Sequence, residues 1–214
     1  MSVADEKQSL RKILSEARRN LPPRSAAAFS ARVQERLLTS AAYRAAARVA
    51  LYAPHDNEVD TAIIAADARA SGKALLYPIV ERARRRMAFG AVSAPSELRP
   101  GAYGIPEPPT GAAVVEARDL GRDALICVPG LGFTPAGARL GRGGGYYDRA
   151  LAEAGEGAIA VGLAYSFQLL DRLPEELCDR RLDLIVTESA VYAAGRAPGA
   201  AAQPADQGGT TKWT

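Results

Sequence analysis

The chain has few of the residues on which several common kinds of site depend. Two cysteines, one histidine and one tryptophan occur among its 214 residues. Cys127 lies in an apolar run and Cys178 in a charged segment, so the sequence offers neither a disulfide framework nor a paired-cysteine metal site. With His55 as the one histidine, nothing resembles a Ser-His-Asp arrangement or a metal cluster. We expect a protein of a reducing compartment.

Long hydrophobic runs and a strong net charge are also missing. No stretch approaches the length that crosses a bilayer, and the first residues, MSVADEKQSLRKIL, carry charges where a secretory peptide needs an apolar core. The formal net charge of +3 is too small to indicate nucleic-acid binding without a localised patch. We therefore expect a cytoplasmic protein that does not bind membranes and that acts on a small molecule in preference to nucleic acid. We also expect a monomer.

The chain does contain enough apolar residues for a well-filled core. Its hydrophobic fraction of 48% over 214 residues predicts one domain, which we place at residues 1–192. The last segment, residues 193–214, is composed mainly of Ala, Gly, Pro and Gln and has almost nothing to bury. We interpret residues 193–214 as a disordered tail.

Helix and strand signals alternate along the domain. Apolar residues at helical spacing predict a first helix over residues 4–19, with Leu10, Ile13, Leu14 and Ala17 on its buried stripe. A second helix follows Pro23, and another is predicted over residues 59–70. Short apolar runs predict strands at 48–54, 73–80, 86–92, 123–130, 158–165 and 182–188. The pattern predicts an α/β fold, an open and mostly parallel sheet with helices on both faces.

The most unusual segment is RLGRGGGYYDR, residues 139–149, in which four glycines stand among three arginines. Its glycines precede a helical segment, so the amides of Gly143, Gly144, Gly145 and Tyr146 would lie at a helix N-terminus, which favours an anion. The segment lacks the Gly-Lys-Ser/Thr end of a P-loop and the spacing of a dinucleotide loop. It is therefore a different phosphate loop or, alternatively, a flexible glycine turn.

The segment VPGLGFTPAGARLGRGGGYYDRAL, residues 128–151, closely resembles the signature of the 5-formyltetrahydrofolate cyclo-ligases. KQSLRKIL, NEVDT, SGKALLYPIV, YGIPEP and SFQLLDRLPEELCDRRLDLIVTE follow the order of that family, and the resemblance covers about residues 6–188. It implies an ATP- and magnesium-dependent closure of 5-formyltetrahydrofolate to 5,10-methenyltetrahydrofolate. ATP phosphorylates the formyl oxygen in that reaction, and ADP and phosphate are released.

The resemblance also assigns a nucleotide side to the site. It implies that Arg142 and Tyr147 take part in the chemistry and that Asp148 helps to hold magnesium. The ATP-binding residues it implies are Lys7, Arg11, Arg139, Leu140, Gly141, Arg142, Gly143, Gly144, Gly145, Tyr146 and Tyr147. From spacing alone, Lys7 and Arg11 could equally form a solvated basic face, and Asp148 could be a first-turn acid that complements the helix dipole.

For the folate side the resemblance implies Glu58, Met87, Phe89 and Tyr103. A carboxylate at Glu58 could accept hydrogen bonds from the N–H groups of a reduced pterin. The alternative for Glu58 is an acid in the first turn of the helix predicted over residues 59–70. For Met87, Phe89 and Tyr103 the alternative is a place in the core.

Two positions depart from the family pattern. Many relatives carry Asp where this chain has Thr134, which puts in doubt a carboxylate that those relatives have near magnesium. Many relatives also carry His where this chain has Cys178, so a proton-handling role for that position is in doubt. The departures and the basic run RARRR, residues 82–86, leave open a non-catalytic protein that binds folate, nucleotide or RNA. A sugar-phosphate isomerase would not explain Lys7 and Arg11. Because both half-sites are retained, we favour the enzyme.

Overall fold

A computed structural model describes residues 2–176 and 179–194 of the chain. Cys178 and the predicted tail beyond residue 194 lie outside the described residues. Five α-helices are described: α1 (Val3–Arg19), α2 (Pro23–Leu38), α3 (Ala41–Ala45), α4 (Ala62–Ala70) and α5 (Tyr146–Glu153). No helix in this part of the chain is long and apolar enough to cross a membrane.

The strands range from two to eight residues in length. They are β1 (Arg48–Ala50), β2 (Ala74–Glu81), β3 (Arg86–Val92), β4 (Arg99–Pro100), β5 (Pro106–Glu107), β6 (Val114–Val115), β7 (Ala124–Val128), β8 (Gly132–Phe133), β9 (Arg139–Leu140), β10 (Ile159–Leu163), β11 (Leu184–Val186) and β12 (Val191–Ala193). The sequence did not predict β12, which reaches the first residue of the segment interpreted as a tail.

Eight of these strands form one mixed sheet in the order β12-β11-β10-β7-β1-β2-β3-β6. The five central strands, from β11 to β2, run parallel, whereas β12, β3 and β6 pair antiparallel at the two edges. Strands β4–β5 and β8–β9 form two small separate pairs. The predicted open, mostly parallel sheet is confirmed.

Helices cover both faces of this sheet, because the central strands are apolar on both sides. All five residues of β7 are buried. Leu125 and Cys127 face a core layer shared with α2, α3 and α4, whereas Ile126 and Val128 face a layer shared with α5. This alternation is the period of two expected of a strand between two layers. The three-layer α/β/α arrangement is confirmed.

The buried stripe predicted for α1 is partly wrong. Ile13 is 61% exposed and Ala17 is also exposed, whereas Lys7, Leu14 and Arg18 are the buried residues of the helix. These three lie seven and four positions apart and so share one face. The reason is that α1 does not cover the main sheet: Leu14 packs against the β8–β9 hairpin, and the basic residues face the loops beside it.

The loops after β1 and after β7 leave the same edge of the sheet. These two strands are parallel neighbours, and the chain continues to β2 on one side of β1 but returns to β7 on its other side. Such a point, at the carboxyl ends of parallel strands, leaves a crevice in which α/β proteins bind ligands. Residues 51–61 and 129–145 therefore meet at the edge where a site is expected.

Candidate active site

A cleft of about 900 Å³ opens at this edge of the sheet. Its lining comes from α1, the loop after β1, the β2–β3 hairpin, the segment around residues 102–107, the residues just after β7, the glycine loop with α5, and the segment of residues 176–180 in its described part. Its volume is within the range of pockets that bind small molecules and cofactors. The predicted residues that line it are Lys7, Arg11, Glu58, Met87, Tyr103, Arg139, Leu140, Gly141, Arg142, Gly143, Gly144, Gly145, Tyr146, Tyr147 and Asp148.

The glycine loop ends in a helix N-terminus that no side chain caps. Gly143 and Gly145 have φ values of 100° and 65°, in the left-handed region that glycine adopts without strain. Gly145 is the N-cap of α5, and no side chain hydrogen-bonds to the first-turn amides. Uncapped amides at a helix N-terminus attract an anion, so the backbone here is suited to phosphate.

Arginine side chains fix the loop from both ends. Arg11 Nε donates to Gly141 O at 3.0 Å, which ties the loop to α1. The side chain of Arg139 is 4% exposed, and it donates to Pro129 O at 3.3 Å and to Asp148 Oδ1 at 2.9 Å. A buried guanidinium with several donors remains a source of positive charge beside the loop amides.

Lys7 lies at the base of the cleft and not on a solvated face, since it is only 6% exposed. Its Nζ contacts Asp179 Oδ2 at 2.6 Å and Glu176 Oε2 at 2.9 Å. Burial alone would lower the pKa of Lys7, but the hydrogen bonds to Asp179 and Glu176 outweigh it, and the pKa is raised above its ordinary value. Lys7 therefore stays charged. The sequence did not predict this acidic pair.

Arg142 reaches across the cleft to two carboxylates. Its Nη2 lies 3.3 Å from Glu58 Oε1 and 3.4 Å from Asp56 Oδ2. Glu58 is not a first-turn acid of α4, which begins at Ala62. The carboxylates belong to a loop of their own, and Arg142 joins the glycine loop to it.

The loop that carries Glu58 is held by many contacts. Asp56 and Asn57 both have left-handed backbone conformations, with φ values of 54° and 59°, which costs about 1–3 kcal/mol for each non-glycine residue. Glu58 Oε2 accepts from the amide of His55 at 3.1 Å, and Val59 O accepts from the buried Tyr52 hydroxyl at 2.9 Å. The strained loop is thus fixed by hydrogen bonds to its neighbours.

Tyr147 and Asp148 follow the loop in α5. Burial raises the pKa of the Tyr147 hydroxyl and the charge of Glu58 raises it further, although Arg139 opposes this. The hydroxyl is therefore neutral near pH 7, and it can donate a hydrogen bond but cannot act as a base. Asp148 pairs with Arg139 through Oδ1, and the described residues contain no group of three or more metal-binding side chains. Magnesium would fit here only with phosphate oxygens as further ligands.

The predicted folate residues are only partly brought together. Met87 lines the cleft, but Phe89 does not: it is 1% exposed and packs in the core with α5. Both residues point to the same face of β3, but β3 starts at the cleft edge, and Phe89 lies two residues deeper. Tyr103 lines the mouth, where its hydroxyl lies 2.9 Å from that of Tyr146.

Several residues at the site were not predicted. Glu107, Glu176 and Asp179 line the cleft, Asp56 borders it through its contact with Arg142, and Arg18 lies beneath Asp56 and Glu58. A signal for Arg18 was present, because it stands four residues after Leu14 and hence on the buried face of α1. Thr134, the position that departs from the family pattern, is 4% exposed and its Oγ1 accepts from Ala138 N at 3.1 Å. It stabilises the β8–β9 turn and is not a cleft-lining residue.

Comparison with known proteins shows what the chain is similar to. A model of the 5-formyltetrahydrofolate cyclo-ligase family matches residues 3–188. The 5-formyltetrahydrofolate cyclo-ligase of Mus musculus is 27% identical over 195 residues, which cover 88% of this chain and 96% of the mouse protein. The enzyme of the same name from Escherichia coli K12 is 29% identical over 182 residues, covering 84% and 99% respectively. Matches of this extent span nearly the whole of each relative.

Solved structures agree with these matches. The NMR structure of Aquifex aeolicus 5,10-methenyltetrahydrofolate synthetase has a TM-score of 0.76 at 33% identity, and the alignment covers 94% of this chain and 98% of that one. A 5,10-methenyltetrahydrofolate synthetase from Mycoplasma pneumoniae has a TM-score of 0.69 at 24% identity, covering 86% and 99%. The second likeness shows the fold alone.

Proposed function

The chain belongs to the 5-formyltetrahydrofolate cyclo-ligase family of enzymes, and from this premise we propose how its cleft carries out the reaction. In the proposal, the protein converts 5-formyltetrahydrofolate to 5,10-methenyltetrahydrofolate in the cytoplasm as a monomer, with ATP as co-substrate and magnesium as cofactor. The observation that carries this proposal is that one cleft is lined by a cationic, glycine-rich wall and by a wall with carboxylates.

The nucleotide binds along the cationic wall. The amides of Gly143 to Tyr146 and the side chains of Lys7, Arg11, Arg139 and Arg142 surround the phosphates in the proposal. The support for this is the uncapped start of α5 and the convergence of these side chains on it. Phosphoryl transfer depends mainly on positioning and on neutralising charge, which such a wall supplies.

Asp148 is the residue that would hold magnesium, through the carboxylate oxygen that does not pair with Arg139. When bound, the ion would neutralise charge on the phosphates of the nucleotide. The remaining work falls on the chain's own groups. Arg142 offers a fork of donors to the transferring phosphoryl group, and the neutral Tyr147 hydroxyl is available to donate a hydrogen bond beside it.

The pterin binds against the opposite wall. Glu58 Oε1 and Oε2 accept hydrogen bonds from the pterin N–H groups, while Met87 and Tyr103 contact its flat ring. The formyl oxygen of the substrate then attacks the γ-phosphorus, and ADP leaves. The neighbouring folate N–H nitrogen attacks the activated carbon and loses its proton, the bond between that carbon and the original formyl oxygen breaks, and phosphate leaves with that oxygen and takes up the proton.

The experiment that tests the function follows the absorbance of the conjugated methenyl product. Purified protein is mixed with 5-formyltetrahydrofolate, magnesium and ATP, and ATP or magnesium is omitted in the controls. We expect the product band to grow only in the complete mixture, with one ADP released per product. If substrate and nucleotide bind but the band does not grow, the protein is a non-catalytic binder and the proposed function is wrong.

A further inference from the structure

Arg18 lies directly beneath the carboxylates of the cleft without reaching it. It belongs to the last turn of α1, is 1% exposed, and is not among the residues that line the cleft in the described part of the chain. A guanidinium is always charged in proteins, and burying it is unfavourable unless it is paired. The contacts it makes therefore indicate its role.

The side-chain hydrogen bond and ion pairs of Arg18 in the described residues lead to the loop that carries Glu58 or to the strand end beside it. Nη1 lies 3.4 Å from Glu58 Oε1 and donates to Gly130 O at 3.1 Å, while Nη2 lies 3.5 Å from Asp56 Oδ2. Its buried Nε has no partner among the described residues. The side chain thus holds both carboxylates from below and anchors them to the end of β7.

The backbone of the same helical turn holds this loop as well. Asn57 Nδ2 donates to Arg18 O at 2.9 Å and to Leu21 O at 3.1 Å. Since Asp56 and Asn57 both have left-handed conformations, the loop needs such contacts to keep its shape. The end of α1 therefore determines where Glu58 points.

The two arginines that contact Glu58 differ in what else they can do. The side chain of Arg142 is 44% exposed and belongs to the glycine loop, so a nucleotide can draw it away from the carboxylates. Arg18 is enclosed and has no route to a ligand. When Arg142 turns to phosphate, Arg18 stays as the cation beside Asp56 and Glu58.

We infer that Arg18 is a positioning residue for the folate substrate, which acts through Glu58 by holding its carboxylate in place while Arg142 serves the nucleotide. This inference rests on the proposed function, because it takes Glu58 as the acceptor for the pterin. Nothing in it requires Arg18 to contact either substrate.

A double-mutant cycle tests the inference with steady-state kinetics. Arg18→Met keeps an unbranched apolar side chain in the buried position and removes the charged guanidinium, and Arg19→Met on the exposed side of the same helix is the matched control. We expect Arg18→Met to raise the KM for 5-formyltetrahydrofolate on the order of tenfold or more, with the KM for ATP within about twofold. In a Glu58→Gln background the same substitution should change the folate KM by less than about twofold.

Other outcomes would contradict either the role of Arg18 or the proposed role of Glu58, and the cycle distinguishes the two. If Arg18→Met raises the folate KM equally in both backgrounds, or lowers only the melting temperature, Arg18 does not act through Glu58. If Glu58→Gln alone leaves the folate KM unchanged, the proposed role of Glu58 fails first. Should Arg18→Met not yield folded protein, Arg18→Lys takes its place in the cycle. We expect an intermediate rise in folate KM that disappears with Glu58→Gln, and a wild-type KM for Arg18→Lys contradicts the inference.

Discussion

The two walls of the cleft are built on different physical principles. The glycine loop offers backbone amides and is shaped by local conformation, with Gly143 and Gly145 in left-handed conformations and no side-chain cap on α5. The loop with Glu58 offers side-chain oxygens and is shaped by packing contacts, from the end of α1, which is distant in sequence, and from Tyr52 just after β1. A wall made by local conformation is visible in the sequence as a motif, whereas a wall made by packing is not.

Removing the arginine that joins the two walls should have the largest effect. Arg142→Ala loses a charge-assisted contact to the transferring phosphoryl group. We expect kcat/KM to fall by an amount that corresponds to a loss of about 2–4 kcal/mol in transition-state stabilisation. Initial rates at varied ATP and folate measure this, with Arg84→Ala, whose side chain is 75% exposed, as the control. Full turnover and unchanged ATP affinity in Arg142→Ala would remove the glycine loop from the site.

The wall with carboxylates, which is the proposed folate side of the cleft, should respond selectively to the loss of the Glu58 carboxylate. Glu58→Gln keeps the shape but weakens hydrogen bonds that a charged acceptor makes, at about 1.5–3 kcal/mol, so the dissociation constant for 5-formyltetrahydrofolate should rise roughly 10- to 100-fold. The dissociation constant for ATP should stay within about twofold. Titration calorimetry measures both, with Glu81→Gln, outside the cleft, as the control. An equal loss of both affinities would mean that the two walls do not bind separate ligands.

The affinity of the cationic, glycine-rich wall for ATP should be sensitive to the backbone conformation of the glycine loop. Gly145→Ala places a side chain at φ 65°, a backbone conformation that costs a non-glycine residue about 1–2 kcal/mol, and it brings the new Cβ within 2.8 Å of Arg149 Nη1. Because the loop must shift to relieve this, we expect several-fold weaker ATP binding. Gly72→Ala is the matched control, since its φ is 68° but no atom lies within 4 Å of the new Cβ. Both should lose stability, and only Gly145→Ala should lose ATP affinity. Equal ATP affinity in the two variants would show that the loop conformation is irrelevant to binding.

The smallest effect concerns the ion pairs of Lys7. Because its pKa in the folded protein is raised above the ordinary value of 10.5, these pairs contribute stability that is present below pH 10.5 and is lost as the pH rises through the folded-state value. Because one of the two partners, Glu176, is half exposed, Lys7→Met should lower the free energy of unfolding on the order of 1 kcal/mol near neutral pH. Denaturant unfolding between pH 7 and about 11 measures the difference from wild type. A difference that grows with pH contradicts this reading.

Much of the fold could be predicted because its signals are local. The apolar run of β7 and the alternating helices gave the sheet and its layers, and the glycine loop stood out by composition. The edge strand β12 was missed because its three residues, two half-buried and one exposed, carry little periodic signal. The stripe of α1 was misjudged because apolar spacing alone does not show that Lys7 and Arg18 are buried against loops.

The candidate site was less predictable than the fold. Phe89 shares a face with Met87, but its depth along β3 depends on where the strand meets the cleft, which no local pattern encodes. Asp56 and Asp179 became visible only when their partners Arg18 and Lys7 were located, 38 and 172 residues away in sequence. Ion pairs of this kind are set by tertiary packing, and their members are separated along the chain.

In the proposed reaction, the cleft brings the two substrates together so that the formyl oxygen accepts the γ-phosphoryl group. The most direct test uses 5-formyltetrahydrofolate labelled with ¹⁸O in the formyl group, with mass spectrometry of the released phosphate and of unreacted substrate as the control for exchange. We expect the label to appear in inorganic phosphate. Unlabelled phosphate, formed while the remaining substrate keeps its label, would contradict it.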